Sequence, residues 1–367
     1  MPEKPNLLIL TAAFGEGHNS AARNLAIALE SLGARARVVD PCLLSAPSST
    51  ALLQWGYRLV TTHFPRVWEK IYRGTDQCDF SQPSLPLMRK PESFLESLVA
   101  EEKPTAIVST YPIYPYFLKR YFAQGGQKVP VFTVVTDSIE INASWLRAPS
   151  DHFLVTDAMT QGIMQQWGIA QQKVIATGFP VNPIFSQLSP VSSDDPCKPF
   201  RILYFPTAKK PFVRRHSRAL LDAAPEVELT IVMGKNFRLL HSRAREIKAA
   251  YPGRVKLLGW TRKAPQLLNT HHLVVGKAGG ATVHEAIAAR CPMLIHHLVP
   301  GQEEGNLALL KQLGAGQLAE SPEALSQAIR DLLANGAQEW KRMKHALEAH
   351  NTDAGAMCAA QFILSHL

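Results

Sequence analysis

No apolar run in the 367-residue sequence approaches the ~20 residues that a membrane span needs. The first one, Leu7 to Phe14, stops at Gly15-Glu16 and has neither the length nor the flanks of a signal peptide. Cysteine is scarce as well. The five residues (Cys42, Cys78, Cys197, Cys291 and Cys358) are odd in number, scattered, and form no CxxC pair. That argues against a disulfide framework and against a zinc or other metal site, and for a reducing compartment. Acidic residues are outnumbered, 30 against 39 lysines and arginines, giving a net charge of +9. Such an excess invites an anionic partner: nucleic acid, an anionic membrane or a phosphorylated substrate. The sequence has no RNP motif, zinc finger or helix-turn-helix signature, so no nucleic-acid partner is expected. It has no fixed-period repeat and no low-complexity tract. The expected location is cytoplasmic, with peripheral membrane association.

What is present is alternation. Apolar runs typical of buried strands recur at Leu7–Leu10, Ala106–Val108, Val131–Val135, Phe153–Val155 and Val174–Ala176. Helical segments lie between them. In the first, Ala22, Leu25, Leu29 and Leu32 share one face, and Gly33 is a stop signal. The stretch SQLSPVSSDDPCKPF, residues 186–200, breaks the pattern. The alternation then restarts at Ile202–Phe205, Leu229–Met233, Val255–Leu258, Leu273–Val275 and Met293–Ile295. The expected class is α/β, with two doubly wound, parallel-sheet domains. Residues 1–185 form the first domain, 186–200 a linker and 201–350 the second domain. Residues 351–367 form a terminal helix that can pack back on the first.

Several strand-to-helix junctions carry chemistry. In HHLVVGKAGGATVHEAIAARCP, residues 271–292, Gly279 and Gly280 let a ligand approach the backbone. The free N–H groups of the following helix favour phosphate, Lys277 adds charge, and Glu285 can accept from paired ribose hydroxyls. A tight turn followed by a glutamate that suits the helix dipole is the plain alternative. In LVPGQEEGNLALL, residues 298–310, Gln302, Glu303 and Asn306 form a set that reads sugar hydroxyls, or simply a helix start. Near the beginning, Gly15-Glu16-Gly17-His18 opens the first helix directly after the first strand.

The segments FGEGHNSAARNLA (14–26), TVVTD (133–137), GFPVNPIF (178–185), VMGKN (232–236), GKAGGATVHEAIAARCP (276–292) and PGQEEGN (300–306) occur in an order similar to that of glycosyltransferase family 28. The closest resemblance is to the monogalactosyldiacylglycerol synthases and the processive diacylglycerol glucosyltransferases. The resemblance implies a GT-B fold, two Rossmann-like domains facing across a cleft. It implies an inverting hexosyltransferase that uses a UDP-sugar, a lipid acceptor at the first domain, and no further cofactor. It places Gly15, Gly17, Thr207, Gly234, Lys277, Gly279, Gly280, Glu285, Gln302, Glu303 and Asn306 on the donor side. A same-fold enzyme with a non-lipid acceptor, a nucleotide-sugar epimerase, and a non-catalytic binding protein are the alternatives.

On the same resemblance His18 stands where the family's proposed general base stands. A histidine suits that task because its unperturbed pKa is ~6.5. Asp137 is the competing base or the group that orients it. Two stretches depart from the family pattern. RILYFPTAKKPFVRR, residues 201–215, lacks the usual glycine-rich loop, leaving Thr207, Lys209 and Lys210 to meet phosphate. Tyr111 precedes Pro112 where the family often has His-Pro, on the acceptor side. Finally, residues 52–73 interleave Trp55, Tyr57, Phe64, Trp68 and Tyr72 with Arg58, Arg66, Lys70 and Arg73. Trp55, Arg58, Trp68 and Lys70 are thereby expected on an interfacial helix at an anionic membrane surface. A helix packed on its own domain is the alternative.

Overall fold

A computed structural model of the chain describes residues 4–80, 82, 86–301, 303–350 and 354–367. The first half runs β1 (Asn6–Leu10), α1 (Glu16–Ser31), β2 (Arg35–Val39), α2 (Pro41–Ser45), α3 (Pro47–His63), α4 (Pro65–Thr75), α5 (Arg89–Glu102), β3 (Ala106–Ser109), α6 (Tyr114–Ala123), β4 (Val131–Val134), α7 (Ala143–Leu146), β5 (His152–Val155), α8 (Ala158–Gln166) and β6 (Val174–Ala176). The second runs β7 (Phe200–Tyr204), α9 (Lys210–Ala223), β8 (Val227–Val232), α10 (Phe237–Ala250), β9 (Val255–Leu258), α11 (Ala264–Thr270), β10 (Leu273–Lys277), α12 (Gly280–Ala288), β11 (Met293–His297), α13 (Glu304–Gln312), β12 (Gly316–Leu318), α14 (Pro322–His350) and α15 (Gly355–Ser365).

The chain divides into two units. One holds residues up to Pro183, Pro300–Gly305 and Ala354–Leu367, and the other holds Ile184–Val299 and Asn306–Asp353. In the first, six parallel strands lie in the order β2-β1-β3-β4-β5-β6. Strand residues alternate between faces. Leu7 and Ile9 pack on α1 (Ala22, Leu25, Leu29) and α15 (Ala356, Ala359, Ala360, Ile363), whereas Leu8 and Leu10 pack on α5 (Leu95, Leu98, Val99) and α6 (Phe117, Leu118). Both faces are covered, which is why β1 reads as a continuous apolar run.

In the second unit six parallel strands lie in the order β12-β11-β10-β7-β8-β9. Val213 and Leu220 of α9, Leu240 and Ile247 of α10, and Leu325, Ile329 and Trp340 of α14 cover one face. Within residues 186–200, expected as a linker, Cys197 and Phe200 enter this core. His272 Nε2 lies 2.8 Å from Asp195 Oδ1 and ties the stretch down. The ligand atoms of Asp195, Cys197 and His272 lie within 4.8 Å of one another. The Arg201 guanidinium, 3.4 Å from His272 Nε2, puts a fixed positive charge beside them, which favours an ion-paired clasp over a cation site.

Two strands escape the sequence reading, β2 and β12, and both lie at sheet edges. An edge strand needs no continuous apolar run. β2 reads RARVV, and Arg37 pairs with Glu102 on its exposed side. Residues 52–73 also differ from expectation, forming two helices that meet at Phe64. Pro65 has no N–H to donate and pushes Phe64 out of the helical region, to φ −130°, ψ 56°.

Candidate active site

In an open parallel sheet, ligands gather beyond the carboxyl ends of the strands where the strand order reverses. In the first unit that point lies between β1 and β3. The loop leaving β1 is fixed by Thr11 Oγ1–H donating to Asn19 Oδ1 (2.8 Å) and Ala13 N–H donating to Asp40 Oδ2 (2.9 Å). Gly15 precedes α1 with extended backbone, and among the described residues nothing lies within 4 Å of where its Cβ would be. Gly17 and His18 stand in the first turn of α1. Thr110, just past β3, donates its hydroxyl to the His18 carbonyl at 3.2 Å and pins that turn.

The His18 ring is held on three sides. Its Nδ1 lies 3.0 Å from Thr136 Oγ1. Tyr111 meets it edge-on at 5.3 Å between centroids, and Trp145 lies 6.0 Å away. Burial pushes its pKa down to about 4, against a smaller opposing pull from the Thr110 backbone, so the imidazole is neutral near pH 7. That corrects the expectation of an ordinary histidine pKa. Asp137 follows β4 and accepts from the Trp145 indole N–H at 2.8 Å. Burial raises its pKa to about 6, while the Trp145 hydrogen bond pulls the other way. Thr136, not Asp137, is thus the group beside His18 Nδ1.

A cavity of about 220 Å³ opens against these groups. It is lined by His18, Asp137, Phe14, Tyr57, Trp68, Tyr72, Thr75, Phe80, Tyr111, Pro112, Ile113, Asn142, Ser144 and Trp145. Such a mix of apolar wall and few polar groups is typical of a small-molecule site. Trp68 belongs to this wall, packed edge-on against Tyr57 at 4.9 Å, so it is set apart from the outward residues with which the sequence grouped it. Trp55, Arg58 and Lys70 are exposed. The outward faces of α3 and α4 also carry Leu52 (66% exposed), Trp55 (62%), Phe64 (55%), Val67 and Ile71. Among the described residues, no helix is long and apolar enough to cross a membrane.

The second unit reverses its strand order between β7 and β10. Thr207 follows β7, and its buried Oγ1 has no hydrogen-bond partner among the described residues. Lys277 ends β10 and is exposed, Gly279 caps α12, and Gly280 begins it. Glu285, half-buried, lies in the second turn of α12. Asn306 donates Nδ2–H to the Ala278 carbonyl at 3.0 Å, while its buried Oδ1 has no partner among the described residues. His297, at the end of β11, has its pKa lowered to about 4 by burial and then by Lys209 and Lys277. Those two cations therefore share a neighbourhood with the N-terminus of α12, an arrangement that suits an anionic group. Gly234 follows β8 with φ 53°, in a turn beyond the same edge of the sheet. Of the remaining donor-side residues, Glu303 is buried in the first unit, and Gln302 lies outside the described residues.

Sequence reasoning passed over Thr136, Trp145, Tyr72 and His297 as site residues. Thr136 was within reach, since it sits beside Asp137 in the TVVTD stretch. The others have no local signature.

Residues 18–181 match the family model described as monogalactosyldiacylglycerol (MGDG) synthase. A processive diacylglycerol beta-glucosyltransferase from Bacillus licheniformis is 24% identical over 370 residues, covering 99% of this chain and 96% of that one. Over residues 18–181 the chain is similar to the monogalactosyldiacylglycerol synthases. The matched stretch includes His18, Tyr57 of α3, Tyr72 of α4 and Asp137. Among solved structures, Acinetobacter baumannii MurG superposes with a TM-score of 0.64 at 15% identity, over 98% of this chain and 100% of that one. The Staphylococcus aureus MnaA–UDP complex gives a TM-score of 0.61 at 16% identity, over 99% and 96%. At such identities these two share the fold, a GT-B arrangement of two Rossmann-like domains.

Proposed function

We propose that the protein is an inverting, UDP-sugar-dependent hexosyltransferase that glycosylates a diacylglycerol-type lipid. The observation that carries this reading is the aromatic cavity of the first domain, with a neutral histidine and a carboxyl group in its wall. The similarity to enzymes named as diacylglycerol glucosyltransferases supports it.

The chemistry follows from the residues. The acceptor hydroxyl gives its proton to Nε2 of His18 while its oxygen bonds to the anomeric carbon. The bond from that carbon to the diphosphate oxygen breaks, and UDP leaves with the electron pair. Attack opposite the leaving group inverts the configuration. Thr136 holds the imidazole from its other nitrogen, and a base already neutral is ready to accept. Charge growing on UDP meets the N–H groups of α12 together with Lys277 and Lys209. Thr207 and Asn306 offer their unpaired oxygens to the donor, and Glu285 accepts from the ribose. The two lysines take the place of the absent glycine-rich loop.

The outer face of α3 and α4, apolar residues interleaved with Arg58, Arg66, Lys70 and Arg73, suits the interface of an anionic membrane. Its inner face lines the cavity. A lipid would thus reach the base without entering bulk water.

Mass spectrometry of lipids from cells that express the chain tests the reading. A hexosyl-diacylglycerol should appear, and it should be absent with His18→Ala. Isomerised UDP-sugar with no new lipid would instead favour an epimerase.

A further inference from the structure

Two residues that line the first-domain cavity, Trp68 and Tyr72, each carry a polar atom left unsatisfied among the described residues. Trp68 Nε1 and Tyr72 Oη are both shielded from solvent, and neither has a hydrogen-bond partner among the described residues. Burying an unpaired donor is unfavourable, and native structures rarely do it twice in one place. The residues are four apart on α4, so they share a helix face, with ring centroids 6.3 Å apart. Their polar neighbours are already engaged. Asn142 Nδ2–H donates to Thr75 Oγ1 at 2.9 Å, and Asp137 accepts from Trp145 at 2.8 Å. Gly301 backs the phenol at φ 78°, where a methyl group would lie 2.8 Å from Tyr72 Cδ1.

These two groups define what they can bind. An indole N–H only donates. The Tyr72 hydroxyl is held well above the ordinary tyrosine pKa by burial, then by Asp137, Asp76 and Glu140, so it keeps its proton. The same carboxylates repel an anionic ligand. The missing partner is therefore a neutral molecule that presents hydrogen-bond acceptors within an aromatic wall. Ester carbonyl oxygens meet that demand well, and ether oxygens meet it poorly.

We propose that Trp68 and Tyr72 donate hydrogen bonds to the ester carbonyl oxygens of an acylated glycerol, holding its free hydroxyl toward His18. This makes them specificity residues for the ester linkage, and it rests on the cavity being the acceptor site.

The test compares dioctanoylglycerol with its dialkyl ether analogue in the full-length protein. Wild type should prefer the ester by roughly tenfold or more in kcat/KM, mainly through KM. Tyr72→Phe and Trp68→Phe should each erase most of that preference by slowing the ester reaction, with UDP affinity and melting temperature held. The ester preference should also appear in equilibrium binding, followed by tryptophan fluorescence without donor. Equal use of ester and ether by wild type, or variants that slow both lipids alike, would overturn the pairing while leaving the lipid-acceptor reading intact. If wild type glycosylates and binds neither lipid, both readings fail.

Discussion

The Thr136 hydroxyl lies 3.0 Å from Nδ1 of His18. With Nδ1–H donating to that hydroxyl, Nε2 is the nitrogen that can take a proton, and the ring's direction is fixed before substrate arrives. His18→Ala should therefore cut turnover by ~10²–10⁴-fold with UDP affinity retained. Burial sets the pH dependence. A base must be unprotonated, so rate rises with pH through the pKa of the base. His18 is depressed to about 4 and Asp137 raised to about 6. Rate should then stay flat from about pH 8 down to about pH 5. A limb near 6 that survives His18→Ala and vanishes in Asp137→Asn would exchange the two roles. Thr136→Val should lower kcat more than it changes KM, and Thr136→Ser should restore it.

The donor side makes a separate prediction. Glu285→Ala should weaken UDP binding by about 1.5–3 kcal/mol through loss of a charged acceptor. Thr207→Val, which removes a buried unpaired hydroxyl, should weaken it by less. Titration calorimetry reads both, and unchanged affinity in both variants would move the donor elsewhere.

How much of this was legible in the sequence depended on burial. The apolar runs announced ten strands, and they are clearest in central ones such as β1 and β10, because parallel strands covered on both faces need apolar residues at every position. The edge strands β2 and β12 gave no such run. His18 and Asp137 could be picked out because each follows the carboxyl end of a strand, His18 in the helix turn after β1 and Asp137 just past β4, where an open sheet collects ligands. Their partners could not. Trp145 reaches Asp137 from α7, and Tyr72 comes from α4, so only tertiary packing joins them. The same packing split the aromatic segment 52–73 between an exposed face and a cavity wall, a division that composition does not show.

That exposed face yields a further expectation. Serine at Leu52, Trp55 and Phe64, with Arg58 and Lys70 neutralised, should release the protein from vesicles of anionic lipid while UDP still binds. Trp68 is left in place because it lines the cavity. Flotation unchanged by the substitutions, or never seen with wild type, would remove the membrane role from this face.

Acid should destabilise the second domain. Burial lowers the pKa of His216 to about 3 and those of His271, His296 and His297 to about 4, with nearby cations adding to the effect. Between about pH 6.5 and about pH 4 the unfolded chain binds protons at these sites that the folded chain does not, so stability falls as pH falls. Asp137, Glu96 and Glu140, whose pKa values are raised chiefly by burial, oppose this in the first domain. The Tm by scanning calorimetry should be lower at pH 5 than at pH 7.5. A Tm that rises toward pH 5 would mean these histidines open to solvent.

The most direct measurement is the reaction itself, run with purified protein, UDP-glucose or UDP-galactose, and dioctanoylglycerol in anionic vesicles. The anomeric configuration of the product is then read by NMR. The account predicts a β-linked glycolipid made from the α-linked donor, with formation lost in His18→Ala although UDP still binds. An α-linked product, a lipid left unglycosylated, or full activity without His18 would contradict it.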